Sequence, residues 1–399
     1  GIADCGKDVF YRFLSREDYD WRNILINITT QLWRKTLANT ERDDKTPICL
    51  MVDDTDYPKR GIQTEMIGKV FSHVEHKMIL GFKGLFLGIT DGATQMLMDF
   101  CLVGERGKNG MYNLKQKQLD ARFTKERDKD SHTAKRIKEY DESKITLMIE
   151  MIKRLIARKI HFDYILADSW FACAEVIKFV TSRHIKCHYL GMIKMGKTKY
   201  HYNRKDYTAK ALVALFDHPK KGRKYSRSLG CYYVTVDVEF AGRKVRLFFT
   251  KRNKKSDWNA LITTNTELEF KEAYRIYSMR WSLEVVFKDS KGNLGLGKYQ
   301  VRNFASQIAC TAITAMQYNI LATARRFSSY ETIGGLFREV TRNSVELTIT
   351  ERIWGMIIDI VNEIAQCFEI EDEKILETLI NRSDKLQHFI QIYEQKMAS

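Results

Sequence analysis

The sequence YSMRWSLEVVFKDSKG, residues 277–292, alternates apolar and polar side chains at helical spacing. Plotted at about 100° per residue, the four side chains of Tyr277, Arg280, Glu284 and Lys291 fall within an arc of about 60°. Apolar side chains occupy the adjoining arc. The pattern predicts one amphipathic helix that buries one face and presents a phenol, two cations and a carboxylate on the next.

The polar face of this helix has two interpretations. A metal-dependent enzyme acting on phosphates needs such a set, because a carboxylate binds the metal and cations bind phosphate oxygens. An ordinary amphipathic helix with a solvated charged face has the same pattern. The helix taken alone leaves both interpretations open.

Two acids elsewhere in the chain follow apolar runs that predict strands. Asp53 comes directly after ICLMV and Asp168 directly after YILA, although an Asp in such a position is often only a turn former. Side chains at the carboxyl ends of strands in an open sheet collect at one edge, so both acids are expected to meet Glu284. Since three close carboxylates repel one another, we expect two Mg²⁺ ions between them, with the carboxyl carbons within roughly 8 Å of each other.

Composition favours a globular protein with a polyanionic partner. The 399 residues are 44% hydrophobic, and 66 Lys and Arg against 50 Asp and Glu give a formal charge of +16. Such an excess is most simply explained by nucleic acid. We expect no membrane span, because no apolar run approaches about 18 residues. The eight scattered Cys, without a C-x-x-C pair, predict reduced thiols and a cytoplasmic protein.

The order of the predicted elements indicates an α/β fold. Three strand-like runs suggest an antiparallel meander, and a helix, a strand and a second helix follow, which fits a mixed sheet flanked by helices. The buried character of residues 306–327 predicts a helix enclosed on most sides. The chain is divided as follows: a helical region at 1–45, the first part of the core at 46–187, a β-rich insertion at 188–265, the second part of the core at 266–328, and a helical subdomain at 329–399.

Two further features of the sequence have competing interpretations. Residues 292–298, GNLGLGK, match G-x-x-x-x-G-K, but Tyr299 stands where a P-loop needs Ser or Thr. We therefore expect a helix C-terminus and turn there. The basic loops KGRKYSR and KRNKK, residues 221–227 and 251–255, suit contact with a DNA backbone, or are simply solvated.

These motifs resemble those of the bacterial insertion-sequence DDE transposases, in particular the insertion-sequence family four group. That group shows a Y-(2)-R-(3)-E-(6)-K signature, which Tyr277, Arg280, Glu284 and Lys291 match without a gap. The resemblance covers roughly residues 45–325. It implies an RNase H-like catalytic core with a β-rich insertion between the second Asp and the Glu.

The resemblance also implies a catalytic, metal-binding triad of Asp53, Asp168 and Glu284. The segments DDT and LADSWF supply the two Asp residues. Asp53 is preferred because a small or variable residue and then Thr or Ser follow the metal ligand in the family pattern, and Asp54 is the alternative. The implied cofactor is a pair of Mg²⁺ ions, with Mn²⁺ as a substitute.

By the same resemblance, Tyr277, Arg280 and Lys291 would hold the terminal phosphates of a transposon end. Trp258, which lies 26 residues before Glu284, is the candidate for trapping a flipped base, and a core aromatic of a hairpin is its alternative interpretation. The implied partners are double-stranded DNA, both the terminal inverted repeats and the target, and a second copy of the chain assembled on that DNA.

The function implied is cut-and-paste transposition: metal-dependent cleavage at the transposon ends and strand transfer into target DNA, in the bacterial cytoplasm at the nucleoid. The chain begins at Gly1, and we expect the N-terminal domain that reads the ends to be mostly missing. Two alternatives remain open. One is a catalytically inactive, transposase-derived DNA-binding protein or inhibitor, and the other is a plain RNase H-like nuclease.

Overall fold

The structure is a computed structural model. It describes residues 7–40, 45–108, 110–328, 332–338 and 341. Lys7–Ser329 form one compact unit, and residues 1–6 and 330–399 belong to another. Most of the predicted helical subdomain at 329–399 therefore lies outside the described residues. In the part of the chain that is described, no helix combines the length and the apolarity needed to cross a membrane.

The larger unit contains both strands and helices, which follow one another in groups along the chain. The strands are β1 (Cys49–Pro58), β2 (Gly68–Ser72), β3 (Lys77–Thr90), β4 (Gln95–Val103), β5 (Tyr164–Ala167), β6 (His188–Ile193), β7 (Lys199–Tyr202), β8 (Lys205–Thr208), β9 (Lys224–Ser226), β10 (Cys231–Phe240), β11 (Arg243–Lys251) and β12 (Asn259–Thr263). The helices are α1 (Lys7–Leu14), α2 (Trp21–Ala38), α3 (Gln116–Asp120), α4 (His132–Lys138), α5 (Lys144–Ala157), α6 (Ala174–Val180), α7 (Ala209–Phe216), α8 (Phe270–Ser278), α9 (Trp281–Asn293) and α10 (Phe304–Arg326).

These strands form one mixed sheet, and its first part has the order β4-β3-β1-β5-β6. The pairs β1–β3 and β3–β4 are antiparallel, whereas β1–β5 and β5–β6 are parallel. Helices cover the sheet, with α5 against β3, α9 against β1, and α2 and α10 against β4. The predicted antiparallel meander and the RNase H-like mixed sheet flanked by helices are confirmed.

The β-rich segment at 188–265 continues the same sheet. Beyond β6 the order is β12-β11-β10-β7-β8, and these strands pair antiparallel. The first strand of the segment, β6, pairs in parallel with β5 and so extends the parallel part of the core. The segment also contains one helix, α7, whose N-cap Thr208 accepts a hydrogen bond from Ala211 N.

The predicted helix at 306–327 is confirmed as α10 and is buried on most sides. Its Asn319 is fully buried and forms two hydrogen bonds to the backbone of β4. Leu97 N donates to Asn319 Oδ1 at 2.8 Å, and Asn319 Nδ2 donates to Leu97 O at 2.8 Å. Because an exposed strand edge leaves its amides and carbonyls unpaired, these bonds help α10 to cover the outer edge of β4.

A buried ion cluster joins β4 to three helical segments. Asp99 accepts hydrogen bonds from Arg22 Nε and Arg154 Nε, each at 2.9 Å, and Arg136 Nη1 lies 3.9 Å away. Arg22 also pairs with Glu139. Burial alone would raise the pKa of the Asp99 carboxyl, but the surrounding guanidinium groups hold it below its ordinary value. Asp99 is thus the shared counter-charge of three buried or half-buried guanidinium groups.

Replacing Asp99 with Ala is expected to lower the free energy of unfolding by about 3–5 kcal/mol, because it leaves buried guanidinium groups without their counter-charge. Urea denaturation measures the change. Asp18→Ala is the control, since its pair with Arg16 is more than half exposed and should contribute little. An Asp99 variant as stable as the control would show that the cluster does not stabilise the fold.

The sequence predicts a single helix through residues 277–292, and this prediction is wrong. The helix α8 ends at Ser278 and α9 begins at Trp281. Between them, Arg280 N donates to Tyr277 O and Leu283 N donates to Arg280 O, which is the tighter i→i−3 pattern. Ser282 Oγ donates to the carbonyl of residue 279, and such a side-chain bond competes with regular helix bonding.

The predicted turn after α9 is confirmed. The helix ends at Asn293, and the left-handed region is adopted by Gly295 (φ 71°) and Gly297 (φ 74°). Lys59 Nζ donates to the carbonyls of Gly297 and Tyr299 at 3.1 and 2.7 Å. The glycine-rich segment follows a helix and is fixed to the end of β1, so it is not a P-loop.

Candidate active site

Asp53 lies on β1, and Asp168 directly follows the neighbouring parallel strand β5. The register of β1 and β5 pairs Val52 with Ala167, and each acid is the next residue along its chain. Here the structure differs from the sequence prediction, because β1 does not end at the acids but continues to Pro58 alongside β3. Since β5 stops at Ala167, the β5 side of β1 is open where Asp53 begins.

Glu284 lies in the first turn of α9, which packs on β1 and β3. Phe287 contacts Phe86 of β3 with ring centroids 5.4 Å apart. Leu283 packs so closely over Gly88 that a Cβ there would lie 3.3 Å from its Cδ1. These contacts bury the apolar face of α9, and the adjoining face turns Glu284 toward Asp53.

Five of the seven predicted site residues line one cavity of about 640 Å³. They are Asp53, Asp168, Arg280, Glu284 and Lys291. The same cavity is also lined by Asp54, Asp56, Lys83, Lys144, Trp170 and Lys194. The structure therefore brings together acids that are 115 and 116 residues apart in the sequence.

The guanidinium of Arg280 joins two of the three acids. Arg280 Nη1 donates to Asp53 Oδ2 at 2.6 Å, and Nη2 donates to Glu284 Oε1 at 2.8 Å. Burial would lower the pKa of Arg280, but Tyr277, Asp53 and Glu284 hold it above its ordinary value. Burial raises the pKa of Asp53 to about 6; Arg280 and the backbone N–H of Asp54 oppose the rise, and the charges of the Asp54 and Asp168 carboxylates add to it.

The two consecutive acids of β1 have different partners. Successive side chains of a strand point to opposite faces, and Asp53 contacts Arg280 whereas Asp54 forms an ion pair with Lys144. Lys83 lies 3.9 Å from Asp54 as well. Asp53 thus shares a cation with Glu284, while Asp54 is held by lysines on the other side.

The carboxylates of Asp53, Asp168 and Glu284 are chemically suitable ligands for a divalent cation, because Mg²⁺ binds carboxylate oxygens. Among the described residues, no group of three or more His, Cys, Asp and Glu side chains is placed to hold a metal ion. Arg280 supplies the positive charge between Asp53 and Glu284 instead. A metal ion ligated by both acids would compete with this guanidinium for their oxygens.

The signature cations and the phenol occupy different positions. Lys291 lies two turns after Glu284 on the same face of α9, and burial lowers its pKa while Asp56 opposes the shift. Tyr277 belongs to α8 and lines a neighbouring cavity of about 340 Å³, to which Arg280 also contributes. Arg280 is therefore the residue that connects the two cavities.

Trp258 lies outside the cavity of the acids. Its Nε1 donates to Asp217 Oδ2 at 3.3 Å, and Lys251 Nζ lies 4.4 Å from its ring centroid. The ring packs against the hydrophobic core of the sheet. The cavity of the acids is lined instead by Trp170, which is 59% exposed.

Sequence reasoning missed the lysines that surround the acids. Lys144 begins α5 directly after the N-cap Ser143, and Lys194 follows β6. From residue type alone, each of them is typical of a solvated surface charge. The SWF segment after Asp168 is the nearest sequence feature to these lysines. In the structure its Phe171 is buried, and its neighbour Trp170 is exposed.

The raised pKa of Asp53 predicts a pH-dependent stability. Because the folded state holds this proton up to about pH 6, the contribution of Asp53 stabilises the fold at low pH and is lost as the pH rises through 6. Asp53→Asn should therefore gain about 1–2 kcal/mol relative to the wild type between pH 5 and pH 8. Denaturant unfolding in a chelator measures it, and a difference that does not vary with pH contradicts the prediction.

Comparison with known proteins gives two family matches. Residues 3–206, just over half of the chain, match the model described as DDE superfamily endonuclease. Residues 130–320 match the model described as transposase DDE domain. No curated protein matches the sequence.

Among the solved structures that are similar to the chain is one of low sequence identity. It is the cryo-EM structure of a piggyBac transposase synaptic complex with hairpin DNA. The TM-score is 0.40 and the identity 11%, over 80% of this chain and 56% of that one. The chain thus spans little more than half the length of that relative.

Proposed function

Since the chain belongs to the DDE superfamily endonucleases, we propose that it is a DNA transposase that cleaves the ends of a mobile element and joins them to target DNA. One observation supports this most: Asp53, Asp168 and Glu284 open into one cavity together with Arg280 and Lys291. A plain nuclease needs the acids but not the end-holding cations. A pure DNA-binding protein needs neither the acids nor their shared cavity.

In this proposal the three acids would hold two divalent ions, Mg²⁺ or Mn²⁺, as DDE endonuclease domains generally use divalent metals, and the ions would have to displace Arg280 from Asp53 and Glu284. When bound, the ions supply charge that activates the attacking water or hydroxyl and stabilises the reacting phosphate. Asp53 is the first ligand rather than Asp54, because it shares Arg280 with Glu284. Trp170 N donates to Asp168 Oδ1 at 2.9 Å and orients that carboxylate.

The cations position the DNA. The guanidinium of Arg280 suits a phosphate, because its planar donors match two oxygens at once. Tyr277 and Lys291 hold the transposon end on either side of it. Trp258 is the proposed base trap, and it would have to release Asp217 and Lys251 before a base could stack on its ring.

The finer assignments follow from the Y-R-E-K resemblance. The chain is an insertion-sequence family four type transposase that acts on double-stranded DNA by cut-and-paste, as a homodimer assembled on the ends, at the nucleoid of a bacterium. The core comprises residues 46–187 and 266–328, with a β-rich insertion at 188–265. Residues 1–45 and 329–399 are the proposed flanking regions of this core.

A supercoiled plasmid that carries both ends of the encoding element tests the proposal. With Mg²⁺ we expect breaks at the two ends, release of the intervening segment and its joining to a second plasmid, and no reaction in EDTA. Breaks scattered over the plasmid would favour a plain nuclease. Specific binding to the ends without breaks would favour the inactive DNA-binding protein.

Lys291→Ala should weaken binding of end DNA. It should also reduce the slope of log K against log salt by about 1, the change expected when one phosphate contact is lost. The alternative is that Lys291 only stabilises the C-terminal end of α9 through the helix dipole. End-DNA affinity measured against salt, beside a thermal melt, decides between them. A lower melting temperature with unchanged affinity and slope would show a helix-stabilising role.

A further inference from the structure

A large aromatic side chain stands exposed at the wall of the cavity that holds the acids. Trp170 is 59% exposed, whereas the next residue, Phe171, is 2% exposed. Trp170 N donates to Asp168 Oδ1, and Phe171 N donates to Asp168 O at 3.2 Å. The turn after β5 therefore fixes Asp168, buries Phe171 and leaves the indole of Trp170 outside.

Two lysines flank this indole. Lys194 Nζ lies 5.0 Å and Lys144 Nζ 5.8 Å from the ring centroid of Trp170. Lys144 also pairs with Asp54. The exposed Lys194, by contrast, has no ion pair with any carboxylate of the described residues, so its charge is available to a ligand. A single exposed aromatic needs no explanation, but one set between two ammonium groups inside a cavity of acids does.

This group lies at a different wall of the cavity from the signature arginine. Asp53 and Asp54 are consecutive strand residues, so their side chains point to opposite faces. Asp53 contacts Arg280, and Asp54 contacts Lys144, which in turn approaches Trp170. Asp53 thus has Arg280 beside it, whereas Asp54 has Lys144 and the nearby ring of Trp170.

We propose that Trp170, Lys144 and Lys194 form a subsite for an unpaired segment of DNA, namely the target strand. The proposal rests on the function proposed above, in which Arg280 and its neighbours hold the transposon end. An in-line displacement places the entering and leaving oxygens on opposite sides of the phosphorus, so the strand under attack approaches from the side away from the held end.

The chemistry of the subsite suits a nucleobase and its phosphate. Stacking of a base on an aromatic ring contributes more than an exposed cation–π contact does. A base can therefore displace Lys194 from the indole of Trp170. The ammonium group of Lys194 then binds the phosphate next to that base. The segment must be unpaired because bases inside a duplex have no free ring face.

Binding of a labelled single-stranded oligonucleotide of mixed sequence, without metal, tests the subsite on the full chain. Trp170→Ala should weaken binding by on the order of tenfold, whereas Trp170→Phe keeps a ring and should stay within roughly threefold. Lys194→Ala should reduce the salt slope by about 0.7. Phe327→Ala, which removes an aromatic that is 53% exposed at the end of α10, is the matched control and should bind normally.

Unchanged binding by Trp170→Ala, or an equal loss in Trp170→Phe, would overturn the stacking subsite. The oligonucleotide carries no transposon end and is not cut, so this readout is independent of catalysis. Normal end cleavage by a chain that fails the binding test would leave the proposed function standing. Binding through Trp170 in a chain that never cuts its ends would remove the proposed function and leave the subsite.

A second assay tests the assignment to the target strand. Ends that are already cleaved carry no flanking DNA, so joining them to a plasmid reports on the target alone. We expect Trp170→Ala to slow this joining by on the order of tenfold, in line with the loss of one stacked base. Joining at the wild-type rate would overturn the assignment.

Discussion

Asp168→Ala is expected to abolish both cleavage of the element's ends and their joining to target DNA. A metal ion at a reacting phosphate supplies several kcal/mol of charge stabilisation, and each ~1.4 kcal/mol is a factor of ten in rate. Loss of a ligand should therefore cost at least about a thousandfold. Binding of end DNA should be largely retained, because affinity comes from cations that contact phosphates.

The measurement is strand cleavage on an end-DNA duplex with Mg²⁺, beside an electrophoretic binding assay. Asp206→Ala is the matched control, since Asp206 pairs with His201 on the surface of the β-rich segment and is 57% exposed. It should cleave as the wild type does. Mg²⁺-dependent cleavage that survives in Asp168→Ala would show that this acid is not a metal ligand.

Arg280→Ala has the second largest expected effect, because it removes the cation shared by Asp53 and Glu284. Two partly buried carboxylates lose their partner, and unfolding should become easier by about 2 kcal/mol, less than for a fully buried pair since Glu284 is 35% exposed. The pKa of Asp53 should rise further. Binding of end DNA should weaken, with a shallower salt dependence.

Arg280→Lys separates charge from shape. It keeps a positive charge but loses the planar pair of donors that reaches both acids. We expect most of the salt slope to survive in this variant and most of the end-DNA affinity to be lost. If Arg280→Ala changes stability but neither the affinity nor the slope, then Arg280 is a structural ion-pair partner and does not hold phosphate.

A double-mutant cycle isolates the link between Arg280 and the first acid. In Asp53→Asn the carboxylate charge is gone, so removal of Arg280 should cost less stability than it does in the wild type. We expect a coupling of on the order of 1 kcal/mol, typical of residues in one ion-pair network. Additive effects of the two substitutions would mean that the 2.6 Å contact contributes no stability.

The sequence predicted the core strands because their apolar runs are long. It missed β2, β7–β9 and β12, which are three to five residues long and owe their pairing to neighbouring strands rather than to a local pattern. It ended β1 too early, at the acids. The strand continues because Asp54 and Asp56 are matched by lysines, Lys83 among them, which lets polar residues remain in the sheet.

The break between α8 and α9 could not be read from residue types. Residues 277–284 contain neither Gly nor Pro, and the helical periodicity passes through them without interruption. The break depends on tertiary contacts, among them Ser282 Oγ with Met279 O and with Met51 Sδ. It is also the reason that Tyr277 lines a different cavity from Glu284.

The shared cavity of the acids was predictable from strand ends and helix faces, but its cations were not. Lys144 and Lys194 come from segments more than 20 residues from Asp168 along the chain, and only the fold brings them to its edge. The position of Arg280 between two acids depends on the reach of its side chain from the N-terminus of α9. No sequence spacing encodes that reach.

Counting the Mn²⁺ ions bound by the complex of the chain with its end DNA tests the central claim most directly. The claim is that three carboxylates from distant segments form one metal site. Electron paramagnetic resonance should detect two bound ions in the wild type and fewer in Glu284→Gln, with the same DNA bound to both. No stoichiometric Mn²⁺ in the wild type, or an equal number in Glu284→Gln, would contradict the claim.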